Sequence, residues 1–165
     1  MSKIQGRAWV YGDNIDTDAL APSAYMIGSV EDIAAHCLES LDPDFASSVE
    51  TGDVFVAGDN LGIGSSREQA PQALLALGIR AVVARSFARI FYRNSLNLGL
   101  PALVCPEAGR IQNGDTLRVD AEAGTVTIAA TGDTLQCEPL PSHLLAMIAD
   151  GGLLAHLEKR FKEQA

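Results

Sequence analysis

Two serines and an arginine lie side by side in a glycine-rich segment, and their types and spacing suit the binding and activation of an acid. Ser65, Ser66 and Arg67 stand at the centre of Gly-Ile-Gly-Ser-Ser-Arg-Glu-Gln, which spans residues 62–69. The planar guanidinium of an arginine matches a carboxylate in two-pronged geometry. A serine hydroxyl can serve as a nucleophile or a base where nearby positive charge favours its alkoxide. The segment therefore predicts a site that binds a carboxylate or a phosphate and contains a reactive hydroxyl.

The sequence on either side of this segment predicts a turn from a strand into a helix. The apolar run 54–57 is typical of a buried strand, and the pattern 72–77 is typical of a helix that ends at Gly78. The first turn of a helix has free N–H groups and a partial positive charge, so it favours an anion. The same pattern is also typical of two serines that only cap the helix. The local sequence leaves both interpretations open.

Four segments resemble the motifs of the aconitase-family swivel domain, in the order in which that family has them. The stretch 59–71 resembles its signature, and most closely that of the separate small subunit of isopropylmalate isomerase and its hydro-lyase relatives. The other three segments are 12–18, 85–94 and 151–153. The resemblance implies an α/β fold, a swivelling β/β/α domain with a mainly parallel sheet, covering helices and an additional β-hairpin layer. It covers almost the whole chain, so residues 1–165 are expected to form a single domain.

The resemblance also implies roles for individual residues. Ser65 matches the catalytic base of the family, and Ser66 and Arg67 match its substrate-carboxylate ligands. The loop 12–18 matches a segment that frames the site, although the alternative for each residue there is an ordinary Asx-rich turn. The residues expected to frame the site are Asp13, Asn14, Asp16, Thr17, Asn60 and Gly64.

A Pro-x-x-Tyr pattern marks the specificity loop of the family. In this chain the loop spans residues 22–28 and contains no arginine or lysine. Its substrate-binding candidates are Tyr25, Met26 and Ile27. A third, distal carboxylate would require a cation there, whereas Met26 and Ile27 suit an alkyl group or hydrogen. The expected substrate is a small dicarboxylic acid of the malate type, such as 3-isopropylmalate, citramalate with citraconate, or malate with maleate.

The cysteines bear on the cofactor, because the resembled enzymes use an iron–sulfur cluster. Cys37, Cys105 and Cys137 are far apart and form no CxxC pair, so they lack the spacing of a zinc or cluster site. We expect no cofactor or metal bound by this chain and a [4Fe-4S] cluster on a large catalytic subunit. The resemblance thus implies the small subunit of a hydro-lyase, 3-isopropylmalate dehydratase of leucine biosynthesis or a paralogue, active only with its large subunit.

Two positions depart from the family motif and keep other functions open. Ile63 stands where the family usually has Cys, and Gln69 where it usually has His. Gln69 cannot titrate, although it can still form neutral hydrogen bonds. The departures suggest a paralogue, such as a citraconate, maleate or dimethylmalate hydratase small subunit, or a non-catalytic acid-binding regulatory module. A nucleotide-binding fold is a weaker alternative, because the chain has neither a P-loop nor a complete Gly-x-Gly-x-x-Gly.

Composition and charge exclude several classes of partner. The 165 residues carry a formal net charge of −9, which disfavours nucleic acid and anionic membrane surfaces. The N-terminal residues 1–7 lack the apolar core of a signal peptide, so a cytoplasmic location is expected. Arg80, Arg85, Arg89 and Arg93 are bunched within a short stretch. They form either a solvated face paired with acids or a positive rim at a site or subunit interface.

The periodicity of the remaining sequence predicts a βαβ layer followed by a β-hairpin. In the first half we expect a loop over 11–24 and a helix over 30–40 capped by Ser29, and we expect Ser86 to cap a later helix. Trp9 is expected to pack inward. The predicted strands are 4–10, 53–57, 81–84, 102–104, 116–120, 125–129 and 135–137, and the predicted terminal helices are 144–149 and 153–161.

Overall fold

Seven strands form one continuous sheet in the computed structural model, which describes residues 3–164. The strands are β1 (Ile4–Val10), β2 (Val54–Ala57), β3 (Ala81–Ala84), β4 (Ala102–Val104), β5 (Thr116–Asp120), β6 (Thr125–Ile128) and β7 (Thr134–Gln136). Their order across the sheet is β4-β3-β2-β1-β5-β6-β7. Strands β1 to β4 run parallel to one another, and β5 to β7 continue the sheet beyond β1 in antiparallel pairing. Every predicted strand is therefore present within a residue or two of its predicted bounds.

Helices connect and cover the parallel strands. They are α1 (Thr17–Leu20), α2 (Val30–Ala35), α3 (Phe45–Ser48), α4 (Gln69–Leu77), α5 (Arg89–Asn97), α6 (Ser142–Ala149) and α7 (Leu153–Gln164). Single 3-10 turns occur at Ser23–Tyr25 and Ala108–Arg110. Across residues 3–164, none of the helices has both the length and the apolar run that a bilayer crossing requires.

Two local predictions were wrong. The predicted loop over 11–24 contains helix α1, which Asp16 caps by accepting a hydrogen bond of 2.7 Å from the Ala19 N–H. Helix α2 has the predicted Ser29 capping box but ends at Ala35 rather than at residue 40. The chain then turns through Leu38, whose φ of 62° is incompatible with a continuing helix. One-turn helices such as α1 and α3 are too short to show a 3.6-residue period.

Two apolar clusters stabilise the sheet from its two faces. One joins hairpin residues such as Leu117 and Val126 to Met147 and Ile148 of α6. The other joins Phe55 of β2 to the buried faces of helices α2 and α4. Trp9 belongs to this second cluster, as predicted, and its ring meets that of Phe45 edge to face at 5.4 Å. Strands β2 and β3 are buried at every position, and their successive side chains point to opposite faces, so apolar side chains lie on both sides of the sheet.

A buried carboxylate ties the start of β2 to β1. Asp53 is 4% exposed and accepts hydrogen bonds from the backbone N–H groups of Arg7 and Glu50 and from the Trp9 indole N–H. Three N–H groups thereby satisfy a charge that would be costly to bury alone. Asp53 thus fixes the turn that leads into β2.

We expect Asp53→Ala to lower the free energy of unfolding by about 2–4 kcal/mol, because it leaves buried N–H groups without an acceptor. Urea unfolding followed by circular dichroism measures the change. Glu122→Ala is the matched control, since Glu122 is exposed on the β5–β6 turn, and it should change stability by less than about 0.5 kcal/mol. Equal stability of the Asp53 variant and the control would contradict this role.

Candidate active site

Three loops meet at the carboxyl edge of the parallel strands and carry the residues singled out in the sequence. They follow β1, β2 and β3 and lie side by side because these strands are parallel neighbours. Single bridges continue the pairing beyond the strands, between Asp16 and Ile63 and between Leu61 and Phe87. Ligands of open α/β sheets bind at this edge, so the arrangement marks a candidate active site.

Ser65 is exposed at the tip of the middle loop and is held against the first loop. Its Oγ lies 3.3 Å from Oγ1 of Thr17, and the two hydroxyls share a hydrogen bond. Thr17 is 2% exposed, and its N–H donates to the Ile63 carbonyl at 2.9 Å. Gly62 and Gly64 adopt φ values of 86° and 113°, a region that residues with a side chain rarely occupy. The glycines therefore shape the turn that presents the Ser65 hydroxyl to solvent.

Arg67 is anchored to the first loop through one of its guanidinium nitrogens. Its Nη1 donates to the Asp18 carboxylate at 2.8 Å and to the Ala21 carbonyl at 2.9 Å. Hydrogen bonds from Arg67 and from the Ser23 N–H hold the pKa of the Asp18 carboxyl below its ordinary value. Within residues 3–164, both hydrogen bonds of the Arg67 guanidinium come from Nη1, which leaves Nη2 and Nε free to bind an anion.

The residues predicted to frame the site are brought together by hydrogen bonds between the loops. Asn60 donates its side-chain N–H to the Asn14 side-chain oxygen at 3.1 Å, and both residues have left-handed φ values near 58°. Asp13 accepts from the Asp59 N–H and from Arg85, at 2.7 and 2.9 Å. These two bonds hold the pKa of the Asp13 carboxyl below its ordinary value. Asp16, by contrast, acts as the cap of α1.

The two serines do not cap helix α4, so the capping interpretation was wrong. Helix α4 begins at Gln69, its N-cap residue is Glu68 in helical conformation, and no side chain caps it. Ser65 and Ser66 lie in the preceding loop, where the Arg67 N–H donates to the Ser65 carbonyl. The prediction that Ser86 caps α5 was also wrong. That cap position is Ala88, and the Ser86 hydroxyl instead accepts from the Asn60 N–H.

The predicted specificity residues do not contribute to the groove beside Ser65. Tyr25 stacks flat on His36, with ring centroids 3.6 Å apart. Met26 is half-buried against the α2 and α4 core, and Ile27 is fully exposed at 101%. None of the three lines the groove beside Ser65.

An open groove of about 1080 Å³ runs beside Ser65, and three of the bunched arginines line it. Arg85 precedes α5, whereas Arg89 and Arg93 belong to it. Because three of these arginines line one groove, they are better described as a positive rim at a site than as a solvated face paired with acids. Arg80 lies elsewhere and donates to backbone carbonyls at the end of α4.

The cysteines are distributed between the two apolar clusters. Cys37 is buried in the cluster beneath α2, and burial raises the pKa of its thiol to about 12. Cys105 and Cys137 are free thiols buried in the other cluster. Over residues 3–164, no group of three or more His, Cys, Asp or Glu side chains could hold a metal ion.

Comparisons with known proteins place this geometry in a family. Residues 28–108 match the family described as Aconitase C-terminal domain. The chain is 46% identical over 160 residues to the 3-isopropylmalate dehydratase small subunit of Syntrophus aciditrophicus, covering 96% of this chain and 98% of that protein. The chain belongs to the aconitase-type dehydratase small-subunit family. The resemblance inferred from the four sequence motifs is thereby confirmed.

The chain has further relatives with similar identity and coverage. It is 46% identical over 157 residues to the 2,3-dimethylmalate dehydratase small subunit of Eubacterium barkeri, covering 94% of this chain and 96% of that protein. The crystal structure of 3-isopropylmalate dehydratase from Methanocaldococcus jannaschii superimposes with a TM-score of 0.94 at 41% identity, covering 99% of this chain and 98% of that one. The predicted swivel-domain fold class is confirmed by this likeness.

Some residues of the site were missed from the sequence. Asp18, the partner of Arg67, was not singled out, although it lies in the 12–18 motif. Phe87 and Tyr92 were not singled out, and Ser86 was predicted only as a helix cap, yet all three line the groove. All three lie in the motif 85–94. This family motif directly follows the predicted strand 81–84, and that position could have indicated them.

We expect Gly62→Ala in the dehydratase small subunit to lower the free energy of unfolding by about 2–5 kcal/mol. A Cβ at this position would overlap the buried ring of Phe91, and the φ of 86° would be strained as well. Chemical denaturation measures the loss. Gly109→Ala is the control, because nothing lies within 4 Å of its added Cβ. A variant as stable as this control would show that the loop can rearrange around Phe91.

Proposed function

We propose that this chain is the small subunit of a heteromeric, cluster-dependent hydro-lyase that dehydrates and hydrates a malate-type dicarboxylic acid. The names of the Syntrophus protein and of the Methanocaldococcus structure favour 3-isopropylmalate as the substrate. One observation carries the proposal: an exposed serine hydroxyl and an anchored arginine stand two residues apart at the carboxyl edge of the sheet.

The chemistry follows from what these side chains can do. The free edge of the Arg67 guanidinium binds one substrate carboxylate, with the Ser66 hydroxyl beside it. This bond fixes the adjacent carbon near Ser65, whose oxygen, as the alkoxide, takes the proton from that carbon. The electron pair left behind forms the double bond as hydroxide leaves the neighbouring carbon. The hydrogen bond from Thr17 and the positive charge of Arg67 favour the alkoxide form of Ser65.

Loss of hydroxide requires a Lewis acid, which an iron–sulfur cluster on the large subunit supplies when it is bound. The cysteines of this chain are buried in two separate apolar clusters, which supports a cluster held by the partner. The exposed position of Ser65 leaves one side of the site open for that partner. The chain acts on substrate only as part of this heteromer, by this proposal.

A second candidate substrate is 2,3-dimethylmalate. The relative from Eubacterium barkeri that carries this name is 46% identical, as is the isopropylmalate relative from Syntrophus. Ile63 lines the groove beside Ser65 and is 42% exposed, so it offers an apolar surface to an alkyl branch of either acid. A non-catalytic role as an acid-binding module remains the alternative to both.

The decisive experiment is anaerobic co-purification with the candidate large subunit, followed by an ultraviolet assay of hydration. Isopropylmaleate, dimethylmaleate, citraconate and maleate form the panel, because hydration removes the absorbance of their double bond. Turnover of one diacid by the pair, and by neither chain alone, is the expected result. A stable complex with an intact cluster that hydrates none of them would favour the non-catalytic module.

We expect Ser65→Ala to lower the turnover number of the assembled pair by about 10²–10⁴-fold, the usual loss for a missing general base. Substrate binding should change little, because Arg67 is intact. Ser47→Ala is the control, since Ser47 is an exposed serine of α3. Near-normal turnover by the Ser65 variant would remove this hydroxyl from the mechanism.

A further inference from the structure

The two edges of the sheet meet at one point. Strands β4 and β7 lie at opposite ends of the strand order, yet the Glu138 N–H, just beyond β7, donates to the Val104 carbonyl of β4 at 2.8 Å. The sheet therefore curls until its edges touch, and we call this contact the seam. The pairings across the sheet make β7 run antiparallel to β4.

A cysteine lies on each side of the seam. Cys105 follows Val104 and Cys137 precedes Glu138, so the antiparallel course of the two segments places the cysteines opposite each other. Residues opposed beside a hydrogen-bonded pair have Cα atoms roughly 4.5 Å apart, within the roughly 4.4–6.8 Å that a disulfide requires. Both cysteines are buried in the same apolar cluster, and their thiols hydrogen-bond to each other. The fold thus brings together two thiols that 31 intervening residues separate along the chain.

The contact between the thiols favours ionisation of one of them. The hydrogen bond from the Cys137 thiol lowers the pKa of the Cys105 thiol below its ordinary value; burial opposes this effect, and a hydrogen bond from the Glu107 N–H adds to it. The hydrogen bond to Cys105 and burial raise the pKa of Cys137, so Cys137 remains the proton donor. A thiolate with a second thiol beside it is the arrangement in which an oxidised sulfur is resolved as a disulfide.

We propose that Cys105 and Cys137 form a reversible disulfide when a peroxide oxidises the chain, and that this bond joins the two edges of the sheet. The Cys105 thiolate attacks a peroxide oxygen, so an S–O bond forms, the O–O bond breaks, and hydroxide leaves to combine with the proton released by Cys105. The Cys137 sulfur then attacks the resulting sulfenic sulfur. The S–S bond forms, the S–O bond breaks, and the hydroxyl leaves as water with the Cys137 proton. Overall, two thiols are oxidised to one disulfide, and one hydrogen peroxide is reduced to two waters.

The third cysteine and the groove give this site its boundaries. Cys37 belongs to the other apolar cluster, on the opposite face of the sheet, so it is not a partner for the pair. Val104 and Glu138, the neighbours of the two cysteines, line the groove beside Ser65. The disulfide therefore also fixes one wall of that groove. The pairing of the thiols is independent of the reaction proposed for Ser65.

Counting of free thiols on the full chain tests the pairing. The folded chain is treated with hydrogen peroxide, the excess is removed with catalase, and the remaining thiols are alkylated in denaturant and counted by mass spectrometry. The untreated chain should take up three labels, one for each cysteine. The oxidised chain should take up a single label, at Cys37, and should be lighter by two hydrogen atoms before labelling. A dithiol reductant should restore all three labels, and peptide mapping should identify the link between Cys105 and Cys137.

Cys37→Ala is the matched control, because it removes the cysteine outside the pair. Its oxidised form should take up no label. Cys105→Ala and Cys137→Ala should form no bond within the chain. We also expect the oxidised wild-type chain to melt about 5–15 °C above the reduced chain, because the bond restricts the unfolded chain. The Cys37 variant should show the same rise on oxidation, and the other two variants should show none.

Several results would overturn the inference. They are three labels after peroxide treatment, a link that includes Cys37, a link only between two chains, and added oxygen atoms in place of a link. A bond between Cys105 and Cys137 that forms only in urea would also contradict it, because the folded chain would then keep the thiols apart. An oxidised chain that melts no higher than the reduced chain would show that the bond does not hold the sheet edges together.

Discussion

The parallel pairing of β1, β2 and β3 is the constraint on which the site depends. Parallel neighbours end at the same edge of a sheet, so the three loops that follow them must leave the sheet together. Here the loops remain hydrogen-bonded to one another beyond the strands, through the bridges at Ile63 and Leu61. The position of Ser65 relative to Thr17 is therefore set by the register of the sheet, even though 48 residues of chain separate the two.

Backbone strain is concentrated in these loops and is held by contacts between them. Asn14 and Asn60 both occupy the left-handed region and bond to each other, while Gly62 and Gly64 take the same region without steric cost. Such conformations persist only where the surroundings determine them. The sheet edge and the buried ring of Phe91 provide those surroundings for Gly62. The backbone conformation of the site is thus determined by its neighbours rather than by its own local sequence.

The sequence revealed most of the fold, because strands such as 81–84 and hairpin residues such as Val126 follow simple burial patterns. It also revealed the loops that carry the site, since their motifs are specific. It did not reveal what the serines do locally. A serine just before a helical pattern is typical of an N-cap. In the structure the Ser65 hydroxyl instead forms a tertiary hydrogen bond with Thr17, which the local sequence does not predict. The pairing of Arg67 with Asp18 was equally non-local, so no spacing rule could identify it. The spacing of Arg85, Arg89 and Arg93 did suggest a shared face, but only the fold shows that this face lines the groove.

The anchoring of Arg67 through Nη1 has a consequence for the entropy of association. A mobile arginine side chain loses conformational entropy when it binds a carboxylate, which costs about 0.5–1.5 kcal/mol of binding free energy. Arg67 has already lost that freedom on folding, because Asp18 and the Ala21 carbonyl hold its guanidinium in place. In the proposed reaction, its unoccupied edge is already oriented when the acid binds. By this proposal Asp18 contributes to affinity indirectly, because it holds the guanidinium in one conformation.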